Sequence, residues 1–258
     1  MYFIKTIVTN VLHKKRLLPQ IRAVEVFEKI AYNECGIRQT KGYDFMENII
    51  ENALRCVEEI FKTDYSGHDY FHTLRVFKMA TNIAIKENAD LKIVQLSALL
   101  HDVDDIKLSP ETHVNKDKAR RFLAANNVND DDIEAICRII GEISYRGSDS
   151  VIPETLEGKC VQDADRLDAI GAIGIARTFA FGGNHNRVMH DPDVKPNMDM
   201  NAEEYHNHVS TTINHFYEKL FKLKDMMNTD FAKTIAQKRE KYMEDFISEF
   251  MDEWEGIK

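Results

Sequence analysis

Apolar residues recur at helical spacing along most of the chain, and this pattern constrains the fold more than any other feature. Between Met46 and Phe61 they fall three or four positions apart, as in an amphipathic helix. Similar runs continue to Trp254, and no segment alternates apolar and polar residues as a half-buried strand would. The chain has 258 residues, which is enough for one helical domain with a sizeable core. We therefore predict an all-α fold.

Turn and capping residues divide this pattern into separate helices. Asp90 and Asn129 are side chains of the type that caps helix N-termini, and each precedes an apolar run. We predict a long helix from beyond Pro153 to Gly182 and another from about Ala202 to Met227, with a long loop between them. The other predicted helices cover about residues 46–61, 68–86 and 230–254, with shorter ones after Asp90, before Asn126 and after Asn129.

The first 45 residues fit this pattern least well. They contain a basic segment, a helical pattern from about Gln20 to Asn33, and breaks at Gly36 and Gly42. We predict that the compact domain covers residues 46–258 and that residues 1–45 are an N-terminal extension of unknown role.

Charge and composition exclude some classes of function. The net charge of −9 opposes binding to long nucleic acid, because a polyanion would be repelled by most of the surface. Small anionic substrates are compatible with this charge where basic side chains converge. The apolar N-terminal stretch is interrupted by Lys5 and is too short to span a bilayer, so we expect no membrane partner. The four cysteines show no Cys-x-x-Cys spacing, which favours a reducing cytoplasm.

The segment Ser97–Leu108 carries the most distinctive chemistry. An apolar helix face ends there in His101 and Asp102, with further carboxylates after them. An imidazole beside a carboxylate, with another carboxylate one turn later, can hold a divalent metal and act on its water. A His-Asp pair also arises often by chance. The metal hypothesis therefore needs ligands from elsewhere in the chain.

Two other helical segments supply such ligands. His72 lies early in the second predicted helix, whereas Asp163 and Asp165 lie among apolar residues of a later helix. A buried carboxylate costs several kcal/mol unless it is paired or bound to a metal, so acids on an apolar helix face need an explanation. A metal is one explanation.

The order of these residues resembles the HD-domain metal-dependent phosphohydrolases, an all-α superfamily. The resemblance rests on His72 in His-x-x-Arg-Val, on His101-Asp102 after Ala-Leu-Leu, and on Asp165 in Ala-Asp-Arg-Leu. It covers roughly residues 46–254 and implies an HD-domain helical bundle with additional C-terminal helices.

Longer strings narrow the resemblance to a bacterial subgroup of YedJ- and YpgQ-like proteins. They begin at His101, at Asp163 and at His215, the last reading His-Phe-Tyr-Glu-Lys-Leu. The subgroup implies hydrolysis of nucleoside triphosphates, with release of pyrophosphate.

The resemblance implies one divalent metal ion held by His72, His101, Asp102 and Asp165. Asp163 and Asp165 point about 200° apart on a helix, so they cannot both face the ion, and the motif favours Asp165. Asp163 would then orient a histidine ligand or contact the substrate. Two imidazoles and two carboxylates suit Mn²⁺, which we predict first, with Mg²⁺, Fe²⁺ or Ni²⁺ as alternatives.

Further residues are assigned to catalysis and substrate binding. Asp105 follows His101 by four positions, so it lies over the same helix face and can orient or deprotonate the water. In the superfamily an acid at this offset often does so. Lys107 follows directly and is predicted to meet the phosphate. The predicted substrate contacts are His68, Arg146, Asp163, Arg177 and His185.

The sequence thus predicts a metal-dependent phosphohydrolase that acts on a phosphate anhydride or ester of a nucleotide. Two alternatives stay open. A phosphodiesterase for a cyclic nucleotide or a dinucleotide would need extra histidine ligands, which only His68 or His113 could supply. A non-catalytic nucleotide sensor would keep the metal for structure and would have no use for Asp105. The oligomeric state is left open.

Overall fold

A computed structural model of the protein describes residues 41–62, 69–106 and 108–258. These residues form α-helices joined by turns and loops and contain no strand, which confirms the predicted all-α class. No described helix is long and apolar enough to cross a membrane. In chain order the helices are α1 (Lys41–Phe61), α2 (Tyr70–Glu87), α3 (Leu91–Leu100), α4 (Asp117–Ala125), α5 (Asp130–Glu142), α6 (Leu156–Asp168), α7 (Gly171–Asn184), α8 (Ala202–Asn207), α9 (Thr212–Glu218), a 3₁₀ helix (Leu220–Lys222) and α10 (Asp230–Trp254).

Contacts between Cα atoms divide the chain into two units, with the boundary between Asn52 and Ala53, and the second unit is Ala53–Lys258. Residues 1–40, including the helix predicted from Gln20 to Asn33, lie outside the described part of the chain. The role of the predicted extension therefore stays open. The features described below all belong to the second unit.

Helix α3 lies at the centre of this unit. It packs against α2, α5 and α6, and every side chain from Ile93 to Leu100 is buried. A helix that is apolar all round is stable only when other helices surround it, and each fully buried aliphatic side chain contributes about 1.5–3 kcal/mol. This packing carries the end of α3 inward, so that His101 and Asp102 are only 7% exposed.

Side-chain caps fix where several helices begin. Asp90 accepts hydrogen bonds from two backbone N–H groups at the start of α3, and Asn129 accepts one at the start of α5, which confirms both predicted caps. Asp69 caps α2 in the same way and accepts a hydrogen bond from the His72 N–H group at 2.7 Å. Each cap stabilises its helix by about 1 kcal/mol.

The two longest predicted helices are interrupted in the structure. The helix predicted to run to Gly182 is α6 followed by α7, because Ile170 is extended and Gly171 has a φ of +76°. Glycine adopts this backbone conformation readily, and a Cβ there would lie 2.9 Å from Cγ of Arg239. The helix predicted from Ala202 to Met227 is α8, α9 and the 3₁₀ helix.

Asp163 has a structural role that the sequence did not predict. Its side chain is fully buried. Oδ1 accepts hydrogen bonds from the backbone N–H (2.8 Å) and Nδ2 (2.9 Å) of Asn228, and Oδ2 accepts from the backbone N–H and Oγ1 of Thr229, both at 2.8 Å. Both oxygens are therefore occupied in joining α6 to the start of α10. The described contacts therefore give Asp163 a structural role, and its role as a substrate contact stays a prediction.

The variant Asp163→Asn is expected to lower the free energy of unfolding by about 2–4 kcal/mol. The substitution replaces one acceptor oxygen with an NH2 group, which would face the buried donor groups of Asn228 or Thr229. Urea denaturation monitored by circular dichroism measures this change. Asp225→Asn is the control, since the Asp225 side chain is 81% exposed, and should cost less than about 0.5 kcal/mol. Equal stability of Asp163→Asn and the wild type would contradict this role.

Candidate metal centre

Four donor atoms from α2, the end of α3 and α6 meet in the interior of the second unit. Nε2 of His72 lies 3.3 Å from Nε2 of His101. Oδ2 of Asp102 lies 3.5 Å from the first of these nitrogens and 3.1 Å from the second. Oδ1 of Asp165 lies 3.4 Å and 4.0 Å from them, respectively. In an octahedral site with ligands at about 2.1 Å, neighbouring ligand atoms are about 3 Å apart, so the atoms of His72, His101 and Asp102 are spaced to share one ion, and Asp165 lies beside them.

Both imidazoles direct a lone pair towards this point. Nδ1 of His101 lies 2.8 Å from the carbonyl oxygen of Ala98, and Nδ1 of His72 lies 2.7 Å from Oδ2 of Asp168. Carbonyl and carboxylate oxygens accept hydrogen bonds, so in each neutral ring Nδ1 carries the hydrogen and Nε2 does not. Two lone pairs and two carboxylates that converge in this way repel one another unless a positive charge lies among them. The residues present therefore fit a divalent cation.

The pKa values of both histidines are raised, which shows that their surroundings favour positive charge. Burial lowers the pKa of His72. Hydrogen bonds with Asp102, Asp165 and Asp168 raise this pKa by more than burial lowers it, so it lies well above its usual value. Burial also lowers the pKa of His101, and the charge of Asp102 more than compensates, so this pKa is raised too. Conversely, burial raises the pKa of Asp165, but its hydrogen bond with His72 lowers it below its usual value.

Asp168 fixes the orientation of His72 and was not identified from the sequence. Its Oδ2 accepts from Nδ1 of His72, and Nη1 of Arg177 lies 2.6 Å from the same oxygen. Its Oδ1 accepts from Nε of Arg75 at 2.7 Å. A carboxylate behind a ligating histidine fixes the ring and makes its free nitrogen more basic. One signal was available in the sequence: Asp168 follows Asp165 by three positions, on the same helix face.

The charge of Asp168 is itself well stabilised. Burial raises its pKa, but the hydrogen bonds with His72 and Arg75 and the nearby charge of Arg177 lower it by more, to below its usual range. Asp168 is therefore an anion at neutral pH and holds both guanidinium groups beside His72.

The turn after Asp102 carries the predicted catalytic acid. The Asp105 N–H group donates to the carbonyl oxygen of Asp102 at 3.0 Å, and the Asp105 side chain is half-buried. The intervening Asp104 is fully buried and accepts hydrogen bonds from the N–H groups of Lys118 and Ala119 at the start of α4. This turn is thereby anchored to α4, which fixes the backbone on either side of Asp104.

Of the other predicted substrate residues that the structure describes, one lies beside the donor atoms and two are exposed. Arg177 lies at the centre, where its Nη1 is 3.2 Å from Nδ1 of His72 as well as bonded to Asp168. Arg146 and His185 are exposed, and no described contact joins either one to the four donor atoms. The predicted residues His68 and Lys107 lie outside the described residues.

Comparison with known proteins identifies the family. The family description "HD domain" matches residues 69–170, the segment that contains all four donors. The uncharacterized protein YpgQ from Bacillus subtilis is 36% identical over 209 residues, which are 80% of this chain and 94% of YpgQ. The chain belongs to the HD-domain family. The HD-domain match begins at the α2 cap and ends just after α6, so it coincides with the helices that build the centre.

Solved structures agree with this assignment. A protein from Lactobacillus plantarum is 39% identical, with a TM-score of 0.71 over 85% of this chain and 100% of its own. An HD-superfamily hydrolase from Bacillus thuringiensis is 41% identical, with a TM-score of 0.66 over 81% and 98% of the two chains. YpgQ in complex with ADP is 34% identical, with a TM-score of 0.65 over 81% and 100%. The predicted enzyme class, an HD-type metal-dependent phosphohydrolase, is confirmed.

The role of Asp168 behind His72 can be tested through metal binding. Asp168→Asn is expected to weaken Mn²⁺ binding by about 10- to 100-fold, because an amide no longer fixes the tautomer and orientation of the ring. Isothermal titration of metal-stripped protein with Mn²⁺ measures the affinity. Asp165→Asn, which removes a ligand, should weaken binding at least as much, and Asp225→Asn should bind as the wild type does. An unchanged affinity of Asp168→Asn for Mn²⁺ would show that the carboxylate of Asp168 is not needed to hold His72 in position.

Proposed function

We propose that this enzyme hydrolyses a phosphate anhydride or ester of a nucleotide, with a nucleoside triphosphate as the preferred substrate and pyrophosphate as a product. The observation that carries the proposal is that Nε2 of His72 and Nε2 of His101 lie 3.3 Å apart, with one carboxylate oxygen of Asp102 and one of Asp165 each within 4.0 Å of both nitrogens. The ADP complex of the related YpgQ supports a nucleotide as the ligand.

We propose that one divalent cation, Mn²⁺ before Mg²⁺, Fe²⁺ or Ni²⁺, binds His72, His101, Asp102 and Asp165. A donor set of nitrogen and oxygen without thiolate suits these ions. When bound, such an ion lowers the pKa of water from about 15.7 towards neutrality and offsets negative charge on phosphoryl oxygens.

The contacts of His113 favour a single-metal site over a two-metal phosphodiesterase. His113 is a predicted source of an extra ligand, but its Nδ1 lies 2.9 Å from the carbonyl oxygen of Asp104 and 3.3 Å from Nζ of Lys116. The positive charge of the Lys116 ammonium beside the ring repels a second cation there.

We propose that an acid and two basic side chains act next to the attacked phosphate. Asp105, in the turn that directly follows the metal ligand Asp102, accepts the proton of the attacking water. Arg177 supplies positive charge beside the phosphate and, through Asp168, keeps His72 in position. Lys107 keeps its assignment as a phosphate contact from the sequence alone. Arg146 and His185 are proposed to contact more distant parts of the nucleotide.

We also propose that the protein binds a small nucleotide and acts in the cytoplasm. A small nucleotide is the proposed partner, and the negative net charge argues against long nucleic acid. Free thiols at Cys56, Cys137 and Cys160 support the proposed reducing cytoplasm.

A panel of nucleotides tests the function directly. Nucleoside triphosphates, diphosphates, monophosphates, cyclic nucleotides and dinucleotides are incubated with the protein and with Mn²⁺, Mg²⁺, Fe²⁺ or Ni²⁺ in turn, and the products are separated by anion-exchange chromatography. We expect a triphosphate to give pyrophosphate and the monophosphate, and we expect chelation of the metal to abolish the reaction. If no nucleotide is turned over with any of the four metals, the protein is better described as a non-catalytic sensor.

The role of Asp105 needs its own variant. Asp105→Asn is expected to lower kcat by about 10²- to 10⁴-fold, because it removes the proton acceptor, while Mn²⁺ affinity changes less than about threefold. Glu111→Gln is the matched control, since Glu111 is an exposed acid a few residues along the same segment. Wild-type turnover by Asp105→Asn, or an equal loss in Glu111→Gln, would refute the assignment.

A further inference from the structure

Two basic side chains near the end of α9 take no part in the metal centre. His215 and Lys219 belong to the string His-Phe-Tyr-Glu-Lys-Leu, which supplies no donor atom to the metal centre. They are one helical turn apart, and the Lys219 N–H group donates to the carbonyl oxygen of His215 at 3.1 Å. We call His215, Lys219, Arg187 and His208 the α9 cluster.

Aromatic rings, rather than a carboxylate, hold the ammonium group of Lys219. Its Nζ lies 4.9 Å from the ring centre of Tyr145 and 5.6 Å from that of Tyr205, and these two rings pack edge to face at 5.1 Å. Cation–π contacts position a charge without neutralising it. In the described part of the chain no ion pair with an acid compensates Lys219, so its charge is available to an anion.

A second cation, Arg187 in the loop after α7, contacts the segment that precedes α9. Cζ of Arg187 lies 5.2 Å from the ring centre of Phe181, and its Nη2 is 3.4 Å from the carbonyl oxygen of His208. The His208 ring is paired with Glu218 at 2.9 Å. Burial, followed by the charges of Lys219, Arg187 and His208, lowers the pKa of His215 to about 3. His215 is therefore neutral, and its charged neighbours are Lys219, Arg187 and His208, the last paired with the buried carboxylate of Glu218.

Helix α7 connects this cluster to the metal centre. Arg177, in its first half, contacts Asp168 at 2.6 Å, and Phe181, the ring beneath Arg187, follows one turn later. One turn of helix advances about 5.4 Å, which is comparable to the length of one or two linked phosphate groups. Gly182 allows α9 to approach α7 closely, since a Cβ there would lie 2.3 Å from Oγ1 of Thr212.

We propose that Lys219 and Arg187, with His215, bind the terminal phosphates of a polyphosphate substrate. The inference rests on the proposed function, in which the metal centre holds the phosphate that is attacked. A water oxygen forms the new bond to that phosphorus, and the bond from phosphorus to the bridging oxygen breaks. The bridging oxygen leaves with the two terminal phosphates as pyrophosphate, and the water proton passes to Asp105. Positive charge in the α9 cluster then stabilises the charge that develops on the leaving group.

Binding of inorganic phosphate, diphosphate and triphosphate tests the proposal without requiring turnover. Isothermal titrations are made with the full chain at a fixed free Mn²⁺ concentration, using the wild type, Lys219→Met and the control Lys241→Met. Lys241 is exposed on α10 and pairs with Asp245 at 2.6 Å. We expect Lys219→Met to bind triphosphate about 10- to 100-fold more weakly and phosphate within about twofold of the wild type, whereas Lys241→Met should match the wild type for all three anions.

Two further variants separate charge from folding. Lys219→Arg keeps the positive charge and should retain triphosphate affinity within about threefold. Arg187→Gln changes a different segment and should also weaken triphosphate more than phosphate, so the proposal is testable even if Lys219→Met fails to fold.

Three results would overturn the proposal: wild-type triphosphate affinity in Lys219→Met and Arg187→Gln, an equal loss for phosphate and triphosphate, or an equal loss in Lys241→Met. Lys219-dependent triphosphate binding without turnover of any nucleotide would refute the proposed function and still support the α9 cluster as a polyphosphate site.

Discussion

Nε2 of His72 and Nε2 of His101 lie 3.3 Å apart, and much of the second unit keeps them there. Each ring is fixed from behind by an acceptor, the carbonyl oxygen of Ala98 for one and the carboxylate of Asp168 for the other. Apolar packing around α3 supplies the energy that holds this unfavourable arrangement together. A divalent cation converts the repulsion into attraction, so ion binding and the fold depend on the same contacts.

Three acids within six residues of α6 perform three different tasks, and the helical geometry decides which. Asp165 and Asp168 are three positions apart and lie on the face towards α2, where one meets the donors and the other supports His72. Asp163 points away from Asp165 and joins α6 to Asn228 and Thr229 instead. Fewer than two turns of helix thus supply a predicted metal donor, a support for His72 and an anchor for α10.

Much of this fold and centre follows from local sequence, because helical periodicity and caps such as Asp90 depend on neighbouring residues alone. The order of His72, His101-Asp102 and Asp165 also carries the family resemblance. The break at Gly171 was missed because apolar spacing continues through it. The pairing of His72 with Asp168 spans 96 positions, and no local pattern encodes such a contact. The α9 cluster is likewise assembled from separate segments, which only the tertiary structure brings together.

The central claim is that His72, His101, Asp102 and Asp165 together hold one catalytic cation. Anomalous diffraction from crystals soaked in Mn²⁺ tests it most directly, because the difference map locates manganese independently of the protein atoms. The account predicts one peak in this part of the chain, at about 2.0–2.3 Å from a donor atom of each of the four residues. Manganese bound elsewhere, or bound without Asp165, would contradict it.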